Sequence, residues 1–358
     1  MHPDPSVKKV LIYRLGSLGD TIVALPCFHL IERAFPESER VLLTNFPVHA
    51  KAPASAAVLG DSGLVHGYLR YTVGTRSPLE LLGLAGKIRR FAPDIVIYLM
   101  PVREASAVKR DTWFFRLAGG VKRMIGIPAA SDLIRIQDSA SGTYQSEATR
   151  LASTVRELGD ASLEKPESWD LRLTAGEREI ARLALGDLAK KPLIVCGPGT
   201  KMQAKDWGRE NWQALLTTLS NRYKGFGLAL IGAKEDAEVS EFASSEWSGP
   251  KVNLCGRLSP RETAGVIEYA KVFLGPDSGP MHLAACVRVP CVIPFSARGL
   301  PGVWYPAGGQ HRVIYHQVNC FGCNLETCVV EGRKCLTSIT VSEMAQAVAG
   351  ILEPAIKV

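Results

Sequence analysis

The chain lacks several features that would decide its class at once. None of its stretches reaches about 18 consecutive apolar residues, so no membrane-spanning helix is expected. The opening segment, Met1 to Lys9, has no apolar core of the signal-peptide kind, which leaves the cytoplasm as the expected compartment. There is no long basic arm and no zinc-finger spacing, so nucleic acid is not an expected partner. Neither glycine loop reads GxGxxG or ends in Gly-Lys-Ser/Thr, so a dinucleotide fingerprint has little support and nucleotide hydrolysis is not favoured. No paired-carboxylate arrangement of the glycosidase type is evident.

What is present is an ordinary soluble composition, 46% apolar and 22% charged over 358 residues. That is enough material for sizeable cores, and the length suggests two domains. Lys and Arg number 42 against 35 Asp and Glu, a net +7. The excess suits a phosphate-bearing partner or an acidic membrane surface, or solubility alone; charge does not separate these readings.

Strand-like and helix-like patterns alternate twice. Val10-Leu11-Ile12-Tyr13, Val41-Leu42-Leu43 and Ile95 to Leu99 read as buried strands, with helical patterns over 21–35 and 78–91. A helix over 143–158 is expected, then a polar stretch, Gly159 to Thr174, that reads as the linker. Beyond it, Leu193 to Cys196, Leu228 to Ile231, Val272-Phe273-Leu274 and Cys291-Val292-Ile293 are strands. Helices fill 175–188, 209–222 and 260–270, the last opened by the capping box Ser259-Pro260-Arg261-Glu262. A C-terminal helix is expected from Thr340 to about Leu352. Such alternation predicts parallel sheets covered on both faces, in two doubly wound domains facing a cleft.

Three loops sit at the carboxyl ends of strands, where open α/β sheets bind ligands. The first, Arg14-Leu15-Gly16-Ser17-Leu18-Gly19-Asp20, places a carboxylate at a strand end. Asp20 is either a helix cap or a general base. The N–H groups around Gly16 and Ser17 are candidates to hold an anion. The second, Gly197 to Trp207, offers Thr200, Lys201 and Lys205 beside a glycine turn; a solvated lysine pair is the competing reading. In the third, GPDSGPMHLAAC from Gly275 to Cys286, Pro280 suits a first helical turn whose N–H groups and dipole fit a diphosphate. There Asp277 suits sugar hydroxyls, and His282 stands within reach of a phosphate, unless both serve only the helix itself.

The stretches LGSLGDTIVALP, GPGTKMQAKDWGRENW and GPDSGPMHLAA together resemble the glycosyltransferase family that includes the ADP-heptose:lipopolysaccharide heptosyltransferases. The resemblance implies a GT-B fold of two Rossmann-like domains: residues 1–170 for the acceptor, 171–358 for the nucleotide-sugar donor. It implies inverting transfer with no cofactor and no metal at the reaction centre. Asp20 would be the base and Lys205 the cation on the leaving diphosphate. Arg14, Gly16, Ser17 and Gly19 would line the acceptor pocket. Thr200, Lys201, Asp277, Ser278, Gly279, Met281 and His282 would bind the donor. Lys234 stands where the family often carries an acidic residue, with Glu235 the nearest substitute, so the nucleotide and sugar are left open. ADP-heptose is the leading donor and a lipopolysaccharide or other cell-envelope saccharide the acceptor, at the inner membrane face. Alternatives are another nucleotide sugar, a sugar-nucleotide epimerase or hydrolase, and a non-catalytic binding protein.

Acceptor loops are expected at 46–76 and 101–111, with Arg70, Arg76, Arg103, Lys109 and Arg110 as anion contacts or plain surface charge. Of nine cysteines, five are scattered in apolar runs and read as small buried hydrophobes. The other four, Cys320, Cys323, Cys328 and Cys335, admit two readings: a closed structural zinc site, or reduced thiols, which the irregular spacing favours.

Overall fold

The computed structural model describes residues 4–46, 54–72 and 74–356, the last three by backbone alone. The chain forms two units, one from residues 1–138 and 145–172, the other from 139–144 and 173–358.

The first unit runs β1 (Lys9–Tyr13), α1 (Leu18–Val23), α2 (Leu25–Ala34), β2 (Glu39–Asn45), α3 (Ser55–Leu59), β3 (Gly67–Tyr71), α4 (Pro78–Phe91), β4 (Ile95–Tyr98), α5 (Ala105–Trp113), β5 (Arg123–Ile125) and α6 (Glu147–Thr154). Its five strands are all parallel, in the order β3-β2-β1-β4-β5. β1 and β4 are apolar on both faces and almost wholly buried, as the centre of a two-sided parallel sheet requires.

The second unit runs α7 (Ala175–Leu185), β6 (Leu193–Cys196), α8 (Arg209–Arg222), β7 (Gly227–Leu230), α9 (Ala237–Ala243), β8 (Lys251–Asn253), α10 (Pro260–Ile267), β9 (Ala270–Leu274), α11 (Gly279–Cys286), β10 (Cys291–Phe295), β11 (Arg312–Tyr315), α12 (Lys334–Thr337) and α13 (Val341–Ile356). Six parallel strands lie in the order β11-β10-β9-β6-β7-β8. Each sheet thus reverses its winding once, between β1 and β4 and between β6 and β9. At such a point the connecting loops part and leave a crevice beyond the carboxyl ends of the strands. On one face of the second sheet Trp207, Trp212, Leu215 and Leu216 pack with Met344, Val348 and Leu352 of α13.

Three local expectations are corrected. The helix expected over 21–35 begins at Leu18 and is cut at Ala24 into α1 and α2. Pro26 has no N–H to give the preceding turn, so a new helix starts with it in the first turn. The helix expected from 143 spans only Glu147–Thr154, and residues 139–144 pack with the second unit. There Tyr144 N–H donates to the Pro301 carbonyl at 2.7 Å. The polar stretch 159–174, expected as the linker, does contain the step between the units, but it packs along the first unit up to that step. His29 Nε2 bonds the Asp170 carbonyl at 2.9 Å, and Arg172 clasps Glu32 with both terminal nitrogens. The step between the units falls at Arg172 to Leu173.

Candidate active site

At the reversal point of the first sheet, Arg14 follows β1 and is completely buried. Its Nη1 donates to the Leu99 carbonyl just beyond β4 at 2.9 Å, and its Nη2 to the Asp20 carbonyl at 2.6 Å. The guanidinium therefore ties the two strand ends to the first turn of α1. Burial pushes its pKa down while the nearby Asp20 charge pulls it up; an arginine stays protonated regardless. Arg14 Nε has no hydrogen-bond partner among the described residues.

Asp20 is the third residue of α1. Its Oδ2 accepts from the Ser17 N–H at 2.8 Å and the Ser17 hydroxyl at 3.0 Å. Its Oδ1 stands 3.8 Å from Arg14 Nη2, and the side chain keeps 27% of its surface exposed. One oxygen is thus fixed by donors, and the carboxylate as a whole still reaches solvent. Gly16 makes this placement possible. It sits at φ +147°, and a Cβ there would lie 2.3 Å from Asp20 Cβ. From the sequence, the Gly16 and Ser17 N–H groups were candidates to hold an anion. In the structure both are engaged: Gly16 N–H donates to Asn45 Oδ1 at 2.8 Å, and Ser17 N–H to Asp20. Gly19 lies half-buried in the first turn of α1.

At the reversal point of the second sheet, the first residues after β6 and β9 are still in contact before their loops part. Gly197 N–H donates to the Leu274 carbonyl at 2.8 Å, and a Cβ on Gly275 would lie 3.0 Å from the Gly197 carbonyl oxygen. One loop carries Lys205, at the end of a short 3-10 turn over Gln203–Lys205; the other carries Asp277. Their charges join, Lys205 Nζ to Asp277 Oδ2 at 2.8 Å, with side chains only 17% and 8% exposed. Next to Asp277, Ser278 is the N-cap of α11, and its hydroxyl is buried with no hydrogen-bond partner among the described residues. Pro280 has no N–H, so the N–H groups that α11 leaves without an intrahelical acceptor are those of Gly279 and Met281. The Met281 side chain is fully buried, so only its backbone can serve a ligand. His282 is buried to 5% with its ring centroid 6.5 Å from that of Trp304. A cation paired with a carboxylate, an unpartnered hydroxyl and a positive helix end therefore stand together at this end of the sheet, donors of the kind that suit a phosphate.

The other expected residues lie around this core. Thr200 is half-buried, with Oγ1 accepting weakly from the Met202 N–H at 3.4 Å, and Lys201 is exposed. Glu235 is exposed in the 3-10 turn after β7, whereas the neighbouring Asp236 turns back towards the Gly197 loop. Its Oδ2 accepts from the Ala233 N–H at 2.8 Å, and a Cβ on Gly199 would lie 2.2 Å from its Cγ. Asp236 and Asn45 were missed in the sequence. Asn45 closes β2 and Asp236 follows β7, so each stands at the carboxyl end of a strand, the one signal that marked them. Of the acceptor-loop arginines, Arg70 covers the Phe46 ring at 4.8 Å and Arg103 pairs with Asp111 at 2.6 Å. Residues 47–53 and 73 of those loops lie outside the described residues.

The five scattered cysteines are all buried, and burial pushes the Cys27 thiol up to about 12. The remaining four are half-buried and line one small pocket together with Ala204 and Ser296. Among the described residues no three His, Cys, Asp or Glu side chains stand close enough together to hold a metal ion.

A family profile described as glycosyltransferase family 9 (heptosyltransferase) matches residues 140–333, more than half of the chain. The chain belongs to that family. Among curated proteins it is similar to lipopolysaccharide heptosyltransferase 3 of Escherichia coli, 29% identical over 155 residues, 40% of this chain and 43% of that protein. It thus spans less than half the length of that relative. Among solved structures it is similar to a glycosyl transferase of family 9 from Veillonella parvula, with a TM-score of 0.74 at 16% identity, covering 97% of this chain and 98% of that one. It is also similar to the E. coli ADP-heptose lipopolysaccharide heptosyltransferase II, with a TM-score of 0.67 at 17% identity, covering 97% and 99%. At these identities the likeness shows the fold, two Rossmann-like units of the GT-B class.

The Lys205–Asp277 pair makes a stability prediction separate from turnover. Lys205→Ala leaves a buried carboxylate unpaired and is expected to destabilise by about 3 kcal/mol, the lower end of the range for broken buried pairs. Adding Asp277→Asn removes the stranded charge and is expected to restore stability to within about 1 kcal/mol of the parent. Urea unfolding of the four proteins checks this; additive losses would contradict it.

Proposed function

We propose that the chain is an inverting GT-B glycosyltransferase that moves heptose from ADP-heptose to a lipopolysaccharide or other cell-envelope saccharide, with no metal ion at the reaction centre. The observation that carries this reading is the Lys205 ammonium beside the unpartnered Ser278 hydroxyl and the start of α11, in a chain of family 9. The choice of ADP-heptose rests on the E. coli heptosyltransferase II that shares this fold and is named for that donor.

In the proposed reaction Asp20 takes the proton of an acceptor hydroxyl, whose oxygen attacks the anomeric carbon. The bond from that carbon to the diphosphate oxygen breaks on the opposite face, and a single displacement inverts the centre. The departing diphosphate gains negative charge. Lys205 and the first-turn N–H groups of α11 stand ready to receive it, the preorganised stabilisation that lowers such barriers most. Asp277 holds Lys205 with Oδ2 and offers Oδ1 to a sugar hydroxyl.

A membrane surface suits the acceptor. No helix among the described residues is long and apolar enough to cross a membrane. Residues 76–123 hold ten Lys and Arg against four Asp and Glu, six of the chain's seven net positive charges. Within this segment α5 runs on into a π-helix, Phe114–Ala118, and Trp113 and Leu117 stay 67% and 68% exposed among Lys109, Arg110 and Arg116. The neighbouring α4 leaves Leu79 and Leu82 exposed at 80% and 66%, and its Arg89 donates to the Leu117 carbonyl at 3.2 Å. Apolar side chains ringed by cations match an anionic bilayer, where each cation adds about 1 kcal/mol.

Two measurements test this reading. Asp20→Asn keeps an acceptor for the Ser17 N–H and is expected to lower acceptor-dependent ADP release from ADP-heptose about 1,000-fold with ADP affinity unchanged. Full activity of the variant would remove Asp20 as the base, and ADP release without acceptor would make the protein a hydrolase. The protein is expected to sediment with phosphatidylglycerol-containing vesicles and not with pure phosphatidylcholine. Trp113→Ser with Leu117→Ser is expected to weaken that binding about tenfold; unchanged binding would remove this face from the proposal.

A further inference from the structure

The cysteine-bearing segment has no part in the proposed chemistry, yet it grips the turn that carries Lys205 at several points. Ala204 N–H donates to the Glu326 carbonyl at 3.0 Å. Cys328 N–H donates to Gln203 Oε1 at 2.9 Å. Arg333 Nη1 donates to the Asp206 carbonyl at 2.8 Å and to Asp206 Oδ2 at 3.2 Å. From the end of β10, the buried Ser296 hydroxyl donates to the Ala204 carbonyl at 2.6 Å. Residues 203–206 are thus held from outside, on both sides of the lysine.

Arg333 is the strained member of this set. Its backbone lies in the left-handed region at φ +63°, directly after Gly332 at φ +55°. A residue with so long a side chain holds that conformation only when its surroundings impose it. Here its N–H donates to Cys328 Sγ at 3.2 Å while its guanidinium reaches Asp206. Cys328 Sγ also accepts the N–H groups of Glu331 and Val330, which hold its thiol below the usual range. Sulfur, strained backbone and guanidinium form one chain that ends on the turn carrying Lys205.

We propose that Arg333 is a positioning residue for Lys205: anchored on Cys328, it fixes the turn at residues 203–206 so that the ammonium meets Asp277 and the diphosphate site. The function of the cysteine-bearing segment is then mechanical support of the leaving-group cation. The link to the diphosphate rests on the function proposed above; the link from Arg333 to Lys205 does not. Misplacing a catalytic cation by a fraction of its reach is costly to binding and turnover alike, although the residue responsible touches no substrate.

The test reads the two links separately. Limited acetylation followed by peptide mass spectrometry gives the reaction rate of the Lys205 amine relative to the exposed Lys190. Arg333→Ala is expected to raise that ratio several-fold with the melting temperature little changed, and Arg333→Lys, which keeps a cation for Asp206, to restore most of the protection. An unchanged ratio in Arg333→Ala would overturn the proposal. Calorimetric ADP affinity then gives the functional link. Lys205→Ala and Arg333→Ala are each expected to weaken ADP about tenfold, and the double variant no further than Lys205→Ala alone. Multiplying losses would mean that Arg333 acts independently of Lys205, against the proposal. A raised acetylation ratio with ADP affinity intact in both single variants would keep the support role and remove Lys205 from the donor site.

Discussion

The ion pair between Lys205 and Asp277 is the interaction around which the second unit's crevice is organised. Neither side chain has much access to water, so each charge needs the other. The pair exists because β6 and β9 are neighbours in a parallel sheet and their loops leave in the same direction. Glycines at 197 and 275 let the loop backbones come together there. A lone lysine in this place would be flexible, and a lone aspartate would repel a phosphate. Joined, they present an oriented ammonium and a spare carboxylate oxygen beside the N–H groups that open α11.

The first unit meets the same topological situation with different chemistry. Its reversal point is bridged by the buried Arg14 guanidinium, which spends its donors on two backbone carbonyls. That arrangement fixes the chain near Asp20 while leaving the carboxylate partly exposed. A base needs access and a free lone pair; a leaving-group site needs trapped positive charge. The two units thus differ in which ion is buried and which is left open, the difference on which the proposed roles of Asp20 and Lys205 rest.

Much of this was legible in the sequence, and the limits have physical causes. β1, β4, β6 and β10 are apolar on both faces, so they stand out as continuous runs. The edge strands β3, β5 and β11 are short, partly exposed and carry arginines, so no pattern separates them from loops. The split at Ala24 was signalled by Pro26, although a helical periodicity continues across it. GPDSGPMHLAAC announced a helix start with Pro280 in its first turn, and α11 begins there, with Ser278 rather than Asp277 at the N-cap position. What pattern could not supply was pairing. Lys205 with Asp277, and Asp236 against Gly199, join residues far apart in the chain, and only strand order brings them together. The burial of His282 and Met281 depends on how α11 packs, which a periodicity of apolar residues leaves open. The four C-terminal cysteines look like metal ligands by type; spacing alone does not show that Cys328 lies against the turn beside Lys205.

A crystal structure of the protein with ADP tests the central claim most directly. The account predicts a phosphate oxygen within hydrogen-bond distance of Lys205 Nζ and another at the Ser278 hydroxyl and Gly279 N–H, with the Asp277 contact retained. ADP bound away from α11, or bound there with the Lys205 ammonium turned from its phosphates, would contradict it.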